Sequence, residues 1–294
     1  LSDRPLARKL IRPAFRLLRG GRGAHHEETW PHLSLRRPEA DGVITWKGEE
    51  IARLSPLGGF LAGLGAEAAI IGSGPSLKRQ RVAALEMPAV LLNGAVALAP
   101  RLPRPAALAI EDERFVYRHG AMLKDLPEGL PLLMAPAVIR VMAQYNRGLL
   151  EGRPLYLIDD LRKPFDGPKC ALGDIPGVVV EDGAAFSDIP AQGIVKCGTV
   201  AYSALQILMA APLKRILLAG IDLTNAAGPR FYEKDGAAAW SGLEKGQARI
   251  LGHFALARQL AGTRGQALLS ASPVSALLDL GYGRDDRLAP EPPA

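Results

Sequence analysis

From residue 66 onward, short continuous apolar runs are separated by longer mixed stretches. The runs fall at 68–71, 89–92, 106–110, 132–134, 155–158, 216–219 and 267–269. Continuous rather than alternating apolar character over so few residues predicts strands covered on both faces. Between several of them, at 138–148, 199–211 and 247–261, apolar residues recur at helical spacing. Strands alternating with helices predict βα units and an α/β, Rossmann-like fold whose mostly parallel sheet is flanked by helices. Residues 1–64 show no such pattern and are expected to form a basic arm and an irregular pre-domain element, with 65–294 as one domain. The stretches 160–196 and 223–246 are rich in Gly, Pro and Asp and weak in periodicity. Loops of that length in compact domains commonly serve as lids.

In parallel sheets ligands bind beyond the carboxyl ends of the strands, so the polar residues that follow each run matter most. They are Ser73 and Ser76, Asn93, Glu111 and Asp112, Asp159 and Asp160, then Asp222, Thr224 and Asn225. Each is equally at home as a turn former or helix cap. The sharpest signal is Ile71-Gly72-Ser73-Gly74-Pro75-Ser76-Leu77, an apolar run breaking into small residues and a proline. Gly72 and Gly74 are expected to take backbone angles closed to other residues, and Pro75 suits a first helical turn whose free N–H groups would face an anion. A turn of purely structural purpose is the alternative. The later loop holds Arg230, Tyr232, Lys234 and Lys245, suited to closing over a phosphate or to a solvated surface.

Composition narrows the class. Of 294 residues 48% are hydrophobic and only 5% aromatic, which fits helices layered on a sheet. No apolar run approaches the roughly 18–20 residues of a membrane span, and no signal core is evident, so a reducing cytoplasm is expected. Cys170 and Cys197 are too few for a disulfide framework, and no CxxC or HxxxH spacing suggests a metal. The net charge of +6 is concentrated early, in Arg4, Arg8, Lys9, Arg12, Arg16, Arg19 and Arg22. Leu6, Leu10, Ile11, Phe15, Leu17 and Leu18 interleave with these bases, and Pro13 would kink a helix there. Residues 1–22 therefore read either as a helix lying on the anionic inner face of the cytoplasmic membrane or as a solvated basic arm. Without an aromatic platform, no nucleic-acid partner is expected.

Two segments together resemble a known family. The turn IGSGPSL, and Lys196-Cys197-Gly198-Thr199 followed by an apolar helix and Arg215-Ile216-Leu217-Leu218-Ala219-Gly220-Ile221-Asp222, look like the bacterial sialyltransferases of glycosyltransferase family 42. Those enzymes carry a glycine-Pro-Ser-Leu turn, a Ser-Gly helix start and a strand ending in Gly-Ile-Asp, in that order. Retaining Kdo transferases and flagellin-modifying Maf proteins, with their pterin-diphosphokinase relatives, share the pattern. The resemblance spans about residues 66–282 and implies a single GT-A-like, sialyltransferase-type domain. Its donor would be a CMP-activated 2-keto-3-deoxy sugar such as sialic acid or Kdo, a substrate rather than a cofactor, with no dedicated metal. The acceptor would be a surface glycan or lipid-linked glycan.

Carried over by motif, the resemblance places Gly72, Ser73, Gly74, Pro75 and Ser76 by the nucleotide phosphate and ribose. Asn93, Glu111 and Asp112 would line the same edge, and Cys197, Gly198 and Thr199 would start a helix near the sugar and cytidine. Cys197 stands where the family has serine, which favours backbone contacts there. Thr224, with Arg230 or Tyr232, stands where the sialyltransferases hold the leaving phosphate with tyrosines. His253 has the spacing of their catalytic histidine and is expected at a helix start, as base or as cap. Asp222 is the candidate nucleophile of a retaining route, or a cap after its strand. A diphosphokinase with magnesium on Glu111, Asp112 and Asp222, and a non-catalytic nucleotide- or glycan-binding module, are the competing readings.

Overall fold

The computed structural model describes residues 4–224, 230–233 and 243–290. Asn225, Lys234 and the side chain of Lys245 lie outside them. The helices are α1 (Leu6–Gly23), α2 (Leu57–Ala62), α3 (Glu113–His119), α4 (Pro136–Tyr145), α5 (Val200–Met209) and α6 (Leu243–Thr263). The first strands are β1 (Leu33–Leu35), β2 (Val43–Trp46) and β3 (Glu49–Arg53), followed by β4 (Glu67–Ile71), β5 (Ala89–Leu92), β6 (Pro105–Ile110), β7 (Leu132–Met134) and β8 (Leu155–Leu157). The last are β9 (Val178–Glu181), β10 (Ala184–Ser187), β11 (Arg215–Ala219), β12 (Ala267–Ser270) and β13 (Gly283–Arg284).

An eight-stranded sheet in the order β13-β12-β11-β4-β5-β6-β7-β8 forms the centre, and every pairing within it is parallel. This is the Rossmann-like architecture that the apolar runs predict. Side chains alternate across it as the strand period requires. Ala69, Ile71, Leu91, Leu108, Ile110 and Leu132 join one core with α4 and the β1–β3 sheet. Ala68, Ile70, Val90, Leu92, Ala107 and Ala109 join the other with α5 and α6. Helix α5 is buried at every position, as an all-round apolar helix must be.

Two stretches differ from expectation. Residues 33–53 are not irregular but form the antiparallel sheet β1-β2-β3, whose Leu33, Ile44, Trp46 and Ile51 belong to the same core as α4. Its β2–β3 turn, Lys47-Gly48, has positive φ at both residues, the geometry of a two-residue hairpin. The stretch 160–196 contains the β9–β10 hairpin, and β10 is buried. That part is packed structure rather than a loop free to close.

Chain order sets the position of the crevice. From β4 the chain builds outward through β5 to β8, then returns to place β11 on the other side of β4. The switch point, where two loops leave in opposite directions and a ligand can enter, therefore lies between the carboxyl ends of β4 and β11.

Candidate active site

The glycine turn follows β4 at this switch point. Its N–H groups turn inward: Gly72 donates to the Ala219 carbonyl and Gly74 to the Gly220 carbonyl, both at 2.8 Å. The Ser76 N–H and hydroxyl donate to the two carboxylate oxygens of Asp222 at 3.0 and 2.7 Å. Neither Gly72 nor Gly74 has positive φ, contrary to expectation; they are needed for close approach. A Cβ on Gly74 would stand 2.5 Å from Asp222 Oδ2, and one on Gly72 would stand 2.5 Å from the Gly220 carbonyl and collide with Ile221. The positive φ falls instead on Gly220 in the facing loop. Residues 75–79 form a 3-10 turn, not the α-helix that the proline suggested, so the turn is no amide cradle: three of its N–H groups already serve the β11 loop.

Asp222 is accordingly a clamp between the two loops, 5% exposed with both oxygens engaged. Thr224 lies just beyond, exposed, its hydroxyl donating to the Val274 carbonyl at 2.9 Å.

On the other side of the turn, Arg230 Nη1 donates to Ser73 Oγ at 3.2 Å, and the Phe231 N–H donates to the Ser73 carbonyl at 3.2 Å. Tyr232 also bonds Ser73, and burial raises its phenol pKa. Its ring stands 5.6 Å from that of His119 and lies against Gly94, where any Cβ would collide with it. Asn93, in positive φ just after β5, keeps its buried Oδ1 without a hydrogen-bond partner among the described residues. Strand spacing puts the ends of β4 and β6 about 10 Å apart with Asn93 between them. Ser73, Asn93, Arg230 and Tyr232 thus converge on one edge.

Next along that edge, Glu111 accepts from the Ser203 hydroxyl at 2.7 Å and lies 3.6 Å from Lys196 Nζ. Burial opposes the Lys196 charge, but Glu111 and the more distant Glu28, Asp160 and Asp159 hold its pKa above the ordinary lysine value. Asp112 is drawn away as the cap of α3, bonding the Arg114 N–H at 2.9 Å and pairing with the Arg114 guanidinium. Burial pulls its pKa up, and Arg114 more than offsets it.

At the start of α5, Thr199 Oγ1 accepts from the Ala201 N–H at 3.3 Å and caps the helix. Gly198 has φ of 107°, and a Cβ there would stand 2.9 Å from Arg249 Nη2. Arg249 Nε donates to the Cys197 carbonyl at 3.1 Å. The Cys197 side chain is 1% exposed, and burial pushes its thiol up to about 12. The sulfur is thus enclosed by the protein.

His253 does not stand at a helix start. It lies inside α6, 3% exposed, its ring edge-on to Tyr202 at 5.3 Å. Nδ1–H donates to the Arg249 carbonyl at 2.8 Å, and burial lowers its pKa. The ring is neutral and enclosed, a packing position. Residues that sequence reasoning missed include Lys196, Ser203 and Arg249, which surround Glu111 and the α5 start, and Arg37, which secures Asp159.

Asp159 Oδ2 accepts from Arg37 at 2.7 Å, and Oδ1 accepts from the N–H groups of Asp160 and Phe165 at 3.0 and 3.2 Å. Burial nevertheless raises its pKa from 3.8 to about 6. The folded chain therefore holds this proton more tightly than the unfolded chain, so its contribution to stability is lost as pH rises through that window. The expected loss at this group between pH 4 and 6 is about 2 kcal/mol. Urea unfolding across that range should show the fall, and Asp159→Asn should flatten it; equal slopes in both proteins would exclude Asp159 as the source.

Residues 176–263 match the family model described as 3-deoxy-D-manno-octulosonic acid (Kdo) transferase WaaZ. The match supports a Kdo-transferring glycosyltransferase. It takes in β9, β10, α5, β11 and α6, and with them Lys196 to Thr199, Asp222, Arg230, Tyr232 and His253. No curated protein and no solved structure matches the chain. Among the described residues no helix is long and apolar enough to cross a membrane.

Proposed function

We propose that this chain transfers Kdo, or a closely related 2-keto-3-deoxy sugar, from its CMP-activated form to a hydroxyl of a surface-glycan acceptor. One observation carries the reading: Arg230 and Tyr232, from within the Kdo-transferase match, close over Ser73 of the glycine turn, which lies outside it. A Kdo-transferase segment thereby shares one edge with the turn on which the CMP-sugar resemblance rests.

In this reading the donor lies across the ends of β4, β5 and β6. Arg230 meets the negative phosphate, and Asn93 Oδ1, buried without a partner among the described residues, accepts from the nucleotide. The start of α5 at Gly198 and Thr199, with Arg249 beside it, faces the sugar carboxylate. As the bond between the anomeric carbon and the phosphate oxygen breaks, positive charge grows on the sugar ring and CMP departs with the electron pair. Glu111, held by Ser203 and Lys196, is the carboxylate we assign to that carbon. The acceptor oxygen then forms the new glycosidic bond and passes its proton to the phosphate oxygen that has left the sugar. Asp222 and Ser76 keep the two loops in register, and His253 packs α6.

The diphosphokinase reading loses its motivation because Glu111, Asp112 and Asp222 each serve different partners. Among the described residues no three His, Cys, Asp or Glu side chains gather to hold a metal ion.

Calorimetry with CMP tests the donor site. Arg230 lies on a half-buried loop, so Arg230→Ala should leave the melting temperature unchanged. The variant should weaken CMP binding by about tenfold or more, the worth of a charge-assisted hydrogen bond. Unchanged CMP affinity in that variant would remove Arg230 from the phosphate.

A further inference from the structure

Helix α1 is fastened to the same edge of the sheet as the candidate site. Arg8, 7% exposed, pairs with Glu27 and donates to the Trp30 carbonyl at 3.0 Å. Arg4 reaches Glu113, the first residue of α3 after β6, at 2.6 Å. At the other end, the Arg22 carbonyl accepts from the Lys169 N–H at 2.9 Å. His25 and His26 contact the carbonyls of Pro164, Gly167 and Phe165 in the segment that follows β8. Of these anchors, Glu113 follows the carboxyl end of β6, and residues 164–169 follow that of β8.

The anchored face leaves a second apolar face outward. Leu6, Leu10, Leu17 and Leu18 are 77%, 72%, 88% and 83% exposed, whereas Ile11 and Phe15 turn toward the body and are half-buried. Lys9, Arg12, Arg16 and Arg19 are also exposed, and the helix contains no acidic residue. An isolated exposed leucine needs no explanation, but four on one rigidly mounted helix beside a basic stripe do. A second copy of the chain would bring two basic stripes together, which the charges oppose. An anionic lipid surface satisfies both faces, taking the leucines at the acyl boundary and the bases at the headgroups.

We propose that α1 docks the protein in the plane of an anionic bilayer and holds the carboxyl edge of the sheet at the lipid surface. An acceptor carried on a lipid would then reach the edge where the donor binds. The docking itself stands whether or not CMP is the donor fragment.

The test is co-sedimentation of the full chain with vesicles of phosphatidylcholine, with and without phosphatidylglycerol. Wild type should bind the phosphatidylglycerol vesicles, and added salt should release it. The double variant Leu17→Glu/Leu18→Glu changes only exposed positions and should bind them at least about tenfold more weakly. It should keep the wild-type melting temperature and CMP affinity. Docking is overturned if wild type ignores phosphatidylglycerol, if it binds both vesicles equally, or if the double variant binds as wild type does. A lipid-independent dimer that the double variant dissolves would assign the face to a second copy instead. Loss of CMP binding with intact vesicle binding would strike the donor reading alone.

Discussion

Glu113→Ala is expected to destabilise the chain by about 3–5 kcal/mol, read from the midpoint of denaturant unfolding at neutral pH. Glu113 is 3% exposed and pairs with Arg140, which is 1% exposed inside α4. Arg140 Nε also donates to the Glu28 carbonyl at 3.0 Å, and Arg4 takes the second Glu113 oxygen. Removing the carboxylate strands a guanidinium in a helix whose neighbours are apolar, where an uncompensated charge costs far more than an exposed pair ever contributes. The double change Glu113→Leu/Arg140→Met should recover most of the loss, because it removes both charges. A loss under about 1 kcal/mol in Glu113→Ala would mean that Arg140 finds water or another partner.

Turnover should fall about 10²- to 10⁴-fold in Glu111→Gln, with CMP affinity nearly unchanged, if this carboxylate acts on the reacting carbon. Asp222→Asn is the informative contrast. An asparagine there can accept the Ser76 N–H through Oδ1 and donate to Ser76 Oγ through Nδ2, so both bonds of the clamp survive while the charge is lost. That variant should retain turnover, whereas Asp222→Ala, which breaks the clamp, should lose CMP binding. Single-turnover kinetics with a CMP-Kdo donor, alongside calorimetry, separates these outcomes. If Asp222→Asn abolishes turnover and leaves CMP affinity intact, the chemistry moves from Glu111 to Asp222.

The central sheet was legible because its strands are covered on both faces. Residues 68–71 or 216–219 are apolar throughout for that reason. The β1–β3 sheet was hidden because it covers the core from outside. Glu49, Glu50 and Arg53 point to solvent, and only the Lys47-Gly48 pair signalled a hairpin. Of the proposed site, half was legible. Ser73, Asn93 and Glu111 follow directly from being the first polar residues after their strands. The jobs of Asp112, Thr199 and Asp222 were not readable, since a carboxylate or hydroxyl after a strand caps a helix as readily as it meets a ligand. His253 misled because spacing fixes a position along the chain but not which side of a helix it occupies. Arg140 and Glu113 were invisible for the opposite reason: each looks like an ordinary surface charge until a partner from elsewhere in the chain closes over it.

The bonds between Ser76 and Asp222 span 146 positions, so the crevice they shape has no local origin. A chain still emerging during synthesis can add β5 to β4, β6 to β5, β7 to β6 and β8 to β7 in turn, since each is the next strand to appear. It cannot seat the glycine turn until β11 has returned to the far side of β4. Long-range closures of this kind are the slow part of assembling a parallel sheet. The proposed nucleotide site is therefore completed late in the growing molecule. A fragment ending before residue 215 should collapse around its first strands and remain blind to the donor.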